Sequence, residues 1–487
     1  MTASDDLGNT MEMLSDGFVV VVKRDCETCA TVEPVLAQLR TSAVLQIISQ
    51  DDPTFPDLPD VIHDADLSIS WHNDIETVPT LIHRVGGVEQ NRTIGWNRAQ
   101  WEDLTGVDDL GPELPDTRPG CGSMSVDPDR VDELAAKFGG TLTSSRHVQF
   151  AELEDEFEAM FDRGWSDGLP LVPPTPERVK RMLTGTTRDR SDIVAVIPPN
   201  LAEASVEKIA INAVMAGCRP EYLPVVIAAL EAVCNDDFNM HGVLATTMGV
   251  GPILIVNGPI RRELDMNSGI NVLGQGNRAN ATIGRAVQLC VRNLGGGRPG
   301  EIDRATHGNP GKLGLCFAED EEGSPWESLA QDRGFDAGTN TVTAFCGEAP
   351  RIIFDQMSRT AEALTKSIAL TMLANVHPRI IGMDTTLVLC PEHMARFADA
   401  GWDKSRFLGE LRGHLDLEVD SILRGVDGID EGIPTGLGLE GAILPKFNDG
   451  GILLVHAGGP AGLFSSVIGG WVSGPMGSVP VTKEIVR

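Results

Sequence analysis

An α/β protein in two parts is expected from this sequence, and three observations carry the expectation. Apolar runs of strand length, such as Phe18–Val22 and Pro252–Val256, alternate with segments whose apolar residues recur every three and four positions, the helical period. Turns rich in Gly and Pro separate them. At 487 residues, with apolar and charged residues at ordinary globular levels, the chain is long enough for more than one core. The organisation expected is a domain over 1–107, a linker with a cysteine loop over 108–149, and a larger α/β domain over 150–487 in which helices cover buried strands.

Charge narrows the partners. The net charge is −31, and nucleic acid or an anionic membrane would need a positive footprint. Neither is therefore expected as a partner; a small molecule, which meets only its local pocket, is. The N-terminus Met1-Thr2-Ala3-Ser4-Asp5-Asp6 is acidic and lacks the basic start and apolar core of a secretory signal. No apolar run reaches membrane-spanning length, so the expected location is the cytoplasm. Nine cysteines, an odd number without a disulfide-framework pattern, fit reduced thiols there. Composition leaves a homo-oligomer open.

Taken in order, the first element is the strand Phe18-Val19-Val20-Val21-Val22, which leads into Arg24-Asp25-Cys26-Glu27-Thr28-Cys29 and then a helix over Thr31–Leu39. That order puts the first sulfur at a helix N-terminus, where unpaired N–H groups stabilise a thiolate. Dithiol–disulfide exchange is the chemistry this favours. A zinc site would need two further ligands at metal spacing, and no second Cys-x-x-Cys exists in the chain. Pro34 inside the helix removes a hydrogen bond and should kink it. A short strand (Val44–Ile48), an acidic Pro-rich loop (Asp51–Pro59), a strand ending Thr77-Val78-Pro79-Thr80-Leu81-Ile82, a hairpin through Gly86-Gly87 and a helix over Asn97–Leu104 complete the region.

This order resembles thioredoxin over roughly the first hundred residues. The resemblance rests on Cys26-x-x-Cys29, on Pro34 five residues after the second cysteine, on Val78-Pro79-Thr80 at the position of the cis-proline loop, and on the Gly-Gly hairpin. It implies that Cys26 is the attacking thiol, that Cys29 resolves, and that Pro79 packs beside them after a cis bond. Arg24-Asp25 replaces the usual Trp before the motif and Glu27-Thr28 the usual Gly-Pro inside it. Residues between the cysteines tune the potential.

Next comes a stretch rich in Pro, Gly and Asp, holding Arg118-Pro119-Gly120-Cys121-Gly122-Ser123. Its composition reads as a linker or an active loop. Glycines on both sides and an arginine three residues earlier can favour a thiolate at Cys121; a loop cysteine without a role is the alternative. An upstream dithiol needs an acceptor, and Cys121 is the nearest thiol in a flexible segment.

The remainder opens with an acidic helix over Phe150–Arg163 and a loop, Gly164-Trp165-Ser166-Asp167-Gly168-Leu169-Pro170, whose Trp165 and Asp167 are pocket candidates or members of a structural turn. A helix capped by Thr175 runs to Leu183. Ile193–Ile197 reads as a buried strand, and Ala204–Ala216 and Leu223–Cys234 as helices. Pro252–Val256 is a buried strand ending at Asn257. Gly274-Gln275-Gly276-Asn277-Arg278 then opens a helix containing Arg285, an arrangement that offers N–H groups and two guanidiniums to an anion. Tight packing in a core is the competing reading. His241 is a candidate general acid/base or a hydrogen-bonded core histidine. His241, His307, Cys316 and Glu319 could together ligate zinc, though no two have a recognised ligand spacing. Strands at Thr341–Phe345, Thr385–Leu389 and Ile452–His456 alternate with helices at Ser358–Leu373 and Lys404–His414. Ligands gather beyond the carboxyl ends of strands in such folds, which nominates Asn257, Cys346, Glu348, His456 and Ser465.

From Arg118 onward the chain is similar to a little-characterised bacterial family associated with a selenocysteine-Gly-Ser-Cys motif. Cys121-Gly122-Ser123 matches its first three positions, Met124 stands where the second cysteine belongs, and Gly-Trp-Ser-Asp-Gly-Leu-Pro and Gly-Asn-Arg-Ala-Asn-Ala-Thr add to the likeness. The similarity implies thiol or selenol redox chemistry at Cys121, the missing partner thiol being supplied by Cys26 or Cys29. The expected activity is a thiol-dependent oxidoreductase in which Cys121 reacts with a small electrophile and the Cys26/Cys29 pair regenerates it. Arg278, Asn277 and His241 would hold the substrate and handle its proton. A thiol reductant would be a further partner. No cofactor is firmly implied, zinc being the one in view. The alternatives are a metal- or acid/base-dependent hydrolase or lyase around His241 and His307, with the thioredoxin-like part as a maintenance module, and a non-catalytic redox partner.

Overall fold

The computed structural model describes residues 14–127 and 155–487, with residues 130, 131, 134, 138 and 145 between them. The chain divides into two units, Met1–Ala159 and Met160–Arg487, both of them α/β.

In the first unit five strands form one sheet in the order β3-β2-β1-β5-β6: β1 (Gly17–Val22), β2 (Leu45–Ser49), β3 (Val61–His63), β5 (Thr80–Val85) and β6 (Val88–Ile94), with β4 (Thr77–Val78) leading into β5. β1 sits at the centre because Val19, Val20, Val21 and Val22 are all buried, and a strand apolar on both faces has no side to give to water. It pairs parallel with β2 and antiparallel with β5. Helix α1 (Glu27–Ser42) is longer than the sequence pattern suggests. Cys26 is its N-cap, so the helix begins at once after the first cysteine, and Pro34 lies within it. Val32, Val35, Leu36 and Leu39 are buried against the sheet, each worth about 1.5–3 kcal/mol relative to exposure.

The segment expected as a linker is built into this unit over Thr117–Val126. Strand β7 (Trp96–Asn97) precedes helix α2 (Arg98–Thr105) and pairs with β8 (Thr117–Arg118); β9 (Cys121–Gly122) pairs with β4, Val78 opposite Cys121. The Trp96 indole donates to the Pro115 carbonyl at 2.6 Å and packs edge-on against Trp101 at 5.2 Å. Those anchors, invisible to composition, hold a Pro/Gly/Asp-rich stretch in place.

The acidic helix is present over Glu156–Asp162, which includes the chain position where the units divide; its expected start lies outside the described residues. Helices α3 (Pro176–Leu183), α4 (Val206–Ala216), α5 (Leu223–Val233), α6 (Met240–Ala245) and α7 (Arg278–Asn293) follow. Among the described residues strand β10 (Ile193–Ile197) pairs with β11 (Ala202–Ser205) alone, and Ile193 and Val196 are exposed. The buried strand expected there is therefore an outlying hairpin strand. The main sheet runs β13-β12-β14-β20-β16-β19, with β15 on β20 and β21 on β14. Its strands are β12 (Gly251–Asn257), β13 (Cys316–Ala318), β14 (Thr341–Gly347), β15 (Arg351–Phe354), β16 (Met383–Leu389), β19 (Phe447–His456), β20 (Phe464–Val472) and β21 (Val481–Glu484); β17 (Asp416–Glu418) and β18 (Ile443–Pro445) pair with each other. The β12/β13 and β16/β19 pairs are parallel, and β20 is antiparallel to its neighbours. Helices α8 (Ala361–Leu373), α9 (Pro391–Asp399) and α10 (Lys404–Gly413) contribute to an apolar cluster with Leu387, Leu389 and Leu454.

The inner strand β20 escaped the sequence reading because it carries Ser465, Ser466, Gly469 and Gly470. A Cβ at Gly470 would stand 2.4 Å from the Asp384 carbonyl oxygen, and one at Gly469 2.6 Å from a Glu348 carboxylate oxygen. Close neighbours impose small residues where an apolar run would advertise a strand. Among the described residues no helix is long and apolar enough to cross a membrane.

Candidate functional site

Three of the nine cysteines converge in the first unit. The turn after β1 is fixed by Asp51, whose carboxylate accepts from the backbone N–H of Arg24 at 2.7 Å and of Asp25 at 2.9 Å. Cys26 follows in extended conformation and caps α1, its sulfur accepting from the Cys29 N–H at 3.3 Å. The same sulfur lies 3.5 Å from the Val78 carbonyl oxygen, and the Val78–Pro79 peptide is cis. Because Val78 faces Cys121 in the β4/β9 pair and its carbonyl meets the Cys26 sulfur, Cys121 arrives beside Cys26, and the two thiols act on each other's ionisation.

Glycine makes this approach feasible. A Cβ on Gly120 would stand 2.4 Å from Thr77 Cγ2 and 2.9 Å from the Val78 carbonyl oxygen, closer than any side chain tolerates. Polar contacts then stitch the loop down. The Thr28 hydroxyl donates to the Pro119 carbonyl at 2.6 Å. The Gln50 amide donates to Ser123 Oγ at 2.5 Å and to Ser70 Oγ at 2.8 Å, and its oxygen accepts from the Met124 N–H at 3.0 Å.

Electrostatics separates the three sulfurs. Cys26 is pulled down to about 5, first by the hydrogen bond from the Cys29 thiol, against its burial, and further by Cys121 and the N–H groups of Cys29 and Thr28. Cys29 is pushed up by burial and by the neighbouring Cys26 charge. Cys121 is pushed up to about 11 by burial and by Cys26. Of the two cysteines at which a thiolate was expected, the surroundings favour it at Cys26 and oppose it at Cys121. Arg118, which was to favour the Cys121 thiolate, is engaged elsewhere: it donates to Thr31 Oγ1 and to a Glu27 carboxylate oxygen, each at 2.6 Å. Exposure runs in a different order, since Cys121 is half-buried while Cys26 and Cys29 are buried.

The remaining candidates all lie in the second unit. Arg285 grips Asp167 bidentately, both contacts at 2.8 Å, and donates to the carbonyls of Leu169 and Pro170. Arg278 donates to the Gly217 carbonyl at 2.9 Å, and Asn277 caps α7 while donating to the Asp265 carbonyl at 2.6 Å. The tight-packing alternative for this stretch accounts for these contacts; Arg285 is engaged by Asp167 and two carbonyls, whereas the exposed Arg278 is engaged through Nε. Trp165 is half-buried beside the Arg163 guanidinium at 5.8 Å. His241 is exposed on α6, although Met240, Val243 and Leu244 of that helix line a cavity of about 600 Å³. His307 borders that cavity and also a second, of about 430 Å³, that Glu348 lines.

Asn257, Glu319 and His456 come together at the carboxyl ends of β12, β13 and β19. The Asn257 amide donates to Glu319 at 2.6 Å, and burial raises the Glu319 carboxyl to about 7. Asn257 Oδ1 and His456 Nδ1 are buried without a hydrogen-bond partner. Among the described residues no group of three or more His, Cys, Asp or Glu is arranged to hold a metal ion.

One cluster escaped the sequence reading except for Ser465. Cys390 caps α9 directly after β16, and His393 lies in the first turn of that helix. His393 Nδ1 is 2.7 Å from Ser465 Oγ, and Nε2 donates to the Asp355 carbonyl at 2.9 Å. Burial opposes ionisation of Cys390, but the His393 imidazole outweighs it and holds the thiol below the usual range. The available signal was Cys-x-x-His at a strand-to-helix junction. Comparison of the chain with protein-family models, with curated proteins and with solved structures finds no match.

Proposed function

We propose that the first unit is a thiol-dependent oxidoreductase of the thioredoxin-like kind, working as a three-sulfur relay. One observation carries the reading: the Cys26 sulfur caps the helix that holds Cys29 and touches the Val78 carbonyl, directly opposite which Cys121 is paired. Cys121, the least buried of the three, exchanges with a small disulfide RSSR, forming a mixed disulfide and releasing RSH. The Cys26 thiolate attacks the Cys121 sulfur; RS⁻ leaves and takes a proton from water, and a Cys26–Cys121 disulfide forms. Cys29 then gives up its proton, attacks Cys26 and displaces Cys121, which is reprotonated. Two electrons have passed to RSSR and the disulfide rests on Cys26–Cys29, to be reduced by an external thiol. A low-pKa central thiolate suits this sequence, because it is both a ready attacker and a good leaving group.

The test is mass spectrometry under non-reducing conditions after mixing the reduced full chain with cystine. Cys26→Ser should retain the half-cystine on Cys121, and Cys29→Ser should accumulate the Cys26–Cys121 disulfide. A Cys121→Ser variant that consumes cystine at the unaltered rate would sink the relay.

A further inference from the structure

Arg278, Arg285 and Arg292 recur every seven residues along α7, which places them on one face of the helix. The first two have their partners in the Gly217 carbonyl and the Asp167 carboxylate. The third differs. Arg292 lines the cavity of about 600 Å³, and its Nε is buried without a hydrogen-bond partner. Arg298, whose neighbours Gly297 and Pro299 line the same cavity, also has a buried Nε without a partner.

The carboxylates nearby are already used. Asp167 is held by Arg285, and Asp303 by Lys312 at 2.8 Å. No carboxylate is in ion-pair contact with Arg292 or Arg298 among the described residues. Burial and the charge of Arg298 work against the charged form of Arg292 and outweigh the more distant Asp167 and Glu301, which favour it. In a chain of net charge −31, two neighbouring guanidiniums thus have a buried Nε with no acceptor and no carboxylate in direct contact among the described residues. Leaving buried charged donors unpaired costs stability, and an oxyanion is the group that relieves it, by charge and by the fork geometry of guanidinium. The other walls say what the anion is attached to. Met240, Val243, Leu244 and Val250 are apolar, while Gln288 and Asn309 are polar.

We infer that this cavity of the second unit binds a small organic molecule with an apolar body and one oxyanionic group, carboxylate or phosphate, which Arg292 holds with the charge of Arg298 beside it. The inference does not depend on the sulfur relay.

Isothermal titration of the full chain at constant ionic strength, with inorganic phosphate and separately with benzoate, tests it. Saturable one-to-one binding of phosphate assigns a phosphate ester, and binding of benzoate a carboxylate. Affinity should fall at least about tenfold in Arg292→Gln and in Arg298→Gln, the loss of one charged hydrogen bond. The surface variant Arg359→Gln should bind as the unaltered chain does. Arg292→Lys keeps the charge and should retain part of the binding, which separates loss of ligand from loss of fold. Absence of saturable binding for both anions, or unchanged affinity in both glutamine variants, overturns the assignment.

Discussion

The cysteines of the two units share a residue type and differ in what surrounds them. In the second unit Cys218, Cys234 and Cys346 are each pushed up to about 12, and Cys290 and Cys316 are also raised, in every case chiefly by burial. In the first unit Cys26 is just as inaccessible and is nevertheless pulled down to about 5. Burial alone therefore makes a cysteine inert. A thiolate needs donors aimed at it, and Cys26 has two thiols and a helix N-terminus. Cys390 lies between the classes, buried like its neighbours but paired with His393.

The largest test of this contrast removes the central sulfur. Cys26→Ser should lower disulfide turnover on the order of a thousandfold or more, while Cys290→Ser leaves it unaltered; comparable losses in both would erase the distinction between the units.

A second test moves a donor without touching Cys26. In the unaltered reduced protein, alkylation of Cys26 by iodoacetamide should follow a midpoint near pH 5. Cys121→Ala, and Gly120→Ala acting by displacing β9 from β4, should raise that midpoint by about 1–2 pH units, the worth of one charged hydrogen bond. An unmoved midpoint in Cys121→Ala would show that Cys121 donates nothing.

The same shift has a stability counterpart. The folded pKa of Cys26 lies below the unfolded value, so its contribution is complete above the unfolded pKa, about 8.5. It is lost as pH falls towards about 5. The stability gap between the reduced unaltered chain and Cys26→Ser, measured by urea unfolding, should therefore widen from pH 5 to 8.5. A constant gap would contradict the thiolate.

His393→Leu should return Cys390 to the inert class, seen as loss of its alkylation in the folded protein. It also leaves the Ser465 hydroxyl short of a partner, at about 1–3 kcal/mol. The smallest effect belongs to His241, which is exposed: His241→Ala should alter stability by no more than about 0.5 kcal/mol.

Much of the first unit was legible in advance because its signals are local. An apolar run, a cysteine at a helix start and a Gly-Gly hairpin each declare themselves within a few residues, and β1, α1, β5 and β6 stand where those signals put them. The second unit was read less fully. Its inner strand β20 is written in Ser and Gly because its neighbours crowd it, and its last strand β21 was not anticipated. Arg278 and Arg285 declare themselves by type and place, at the start of a glycine-rich helix, but their partners, Gly217 and Asp167, lie far away in sequence, and Arg292 and Arg298, whose Nε groups have no partner, carry no local signal.

By itself the sequence determined the α/β class and the strand, Cys-x-x-Cys, helix order that places Cys26 at an N-cap, since period and capping act over a single turn. That Cys121 lies beside Cys26, that the negative charge favours Cys26 over Cys121, and that Arg292 and Arg298 each carry a buried Nε without a partner were decided by the tertiary structure. Each is a matter of distance between residues remote in the chain, such as Cys26 and Cys121, and a thiol's ionisation or a guanidinium's freedom is decided only when those distances close.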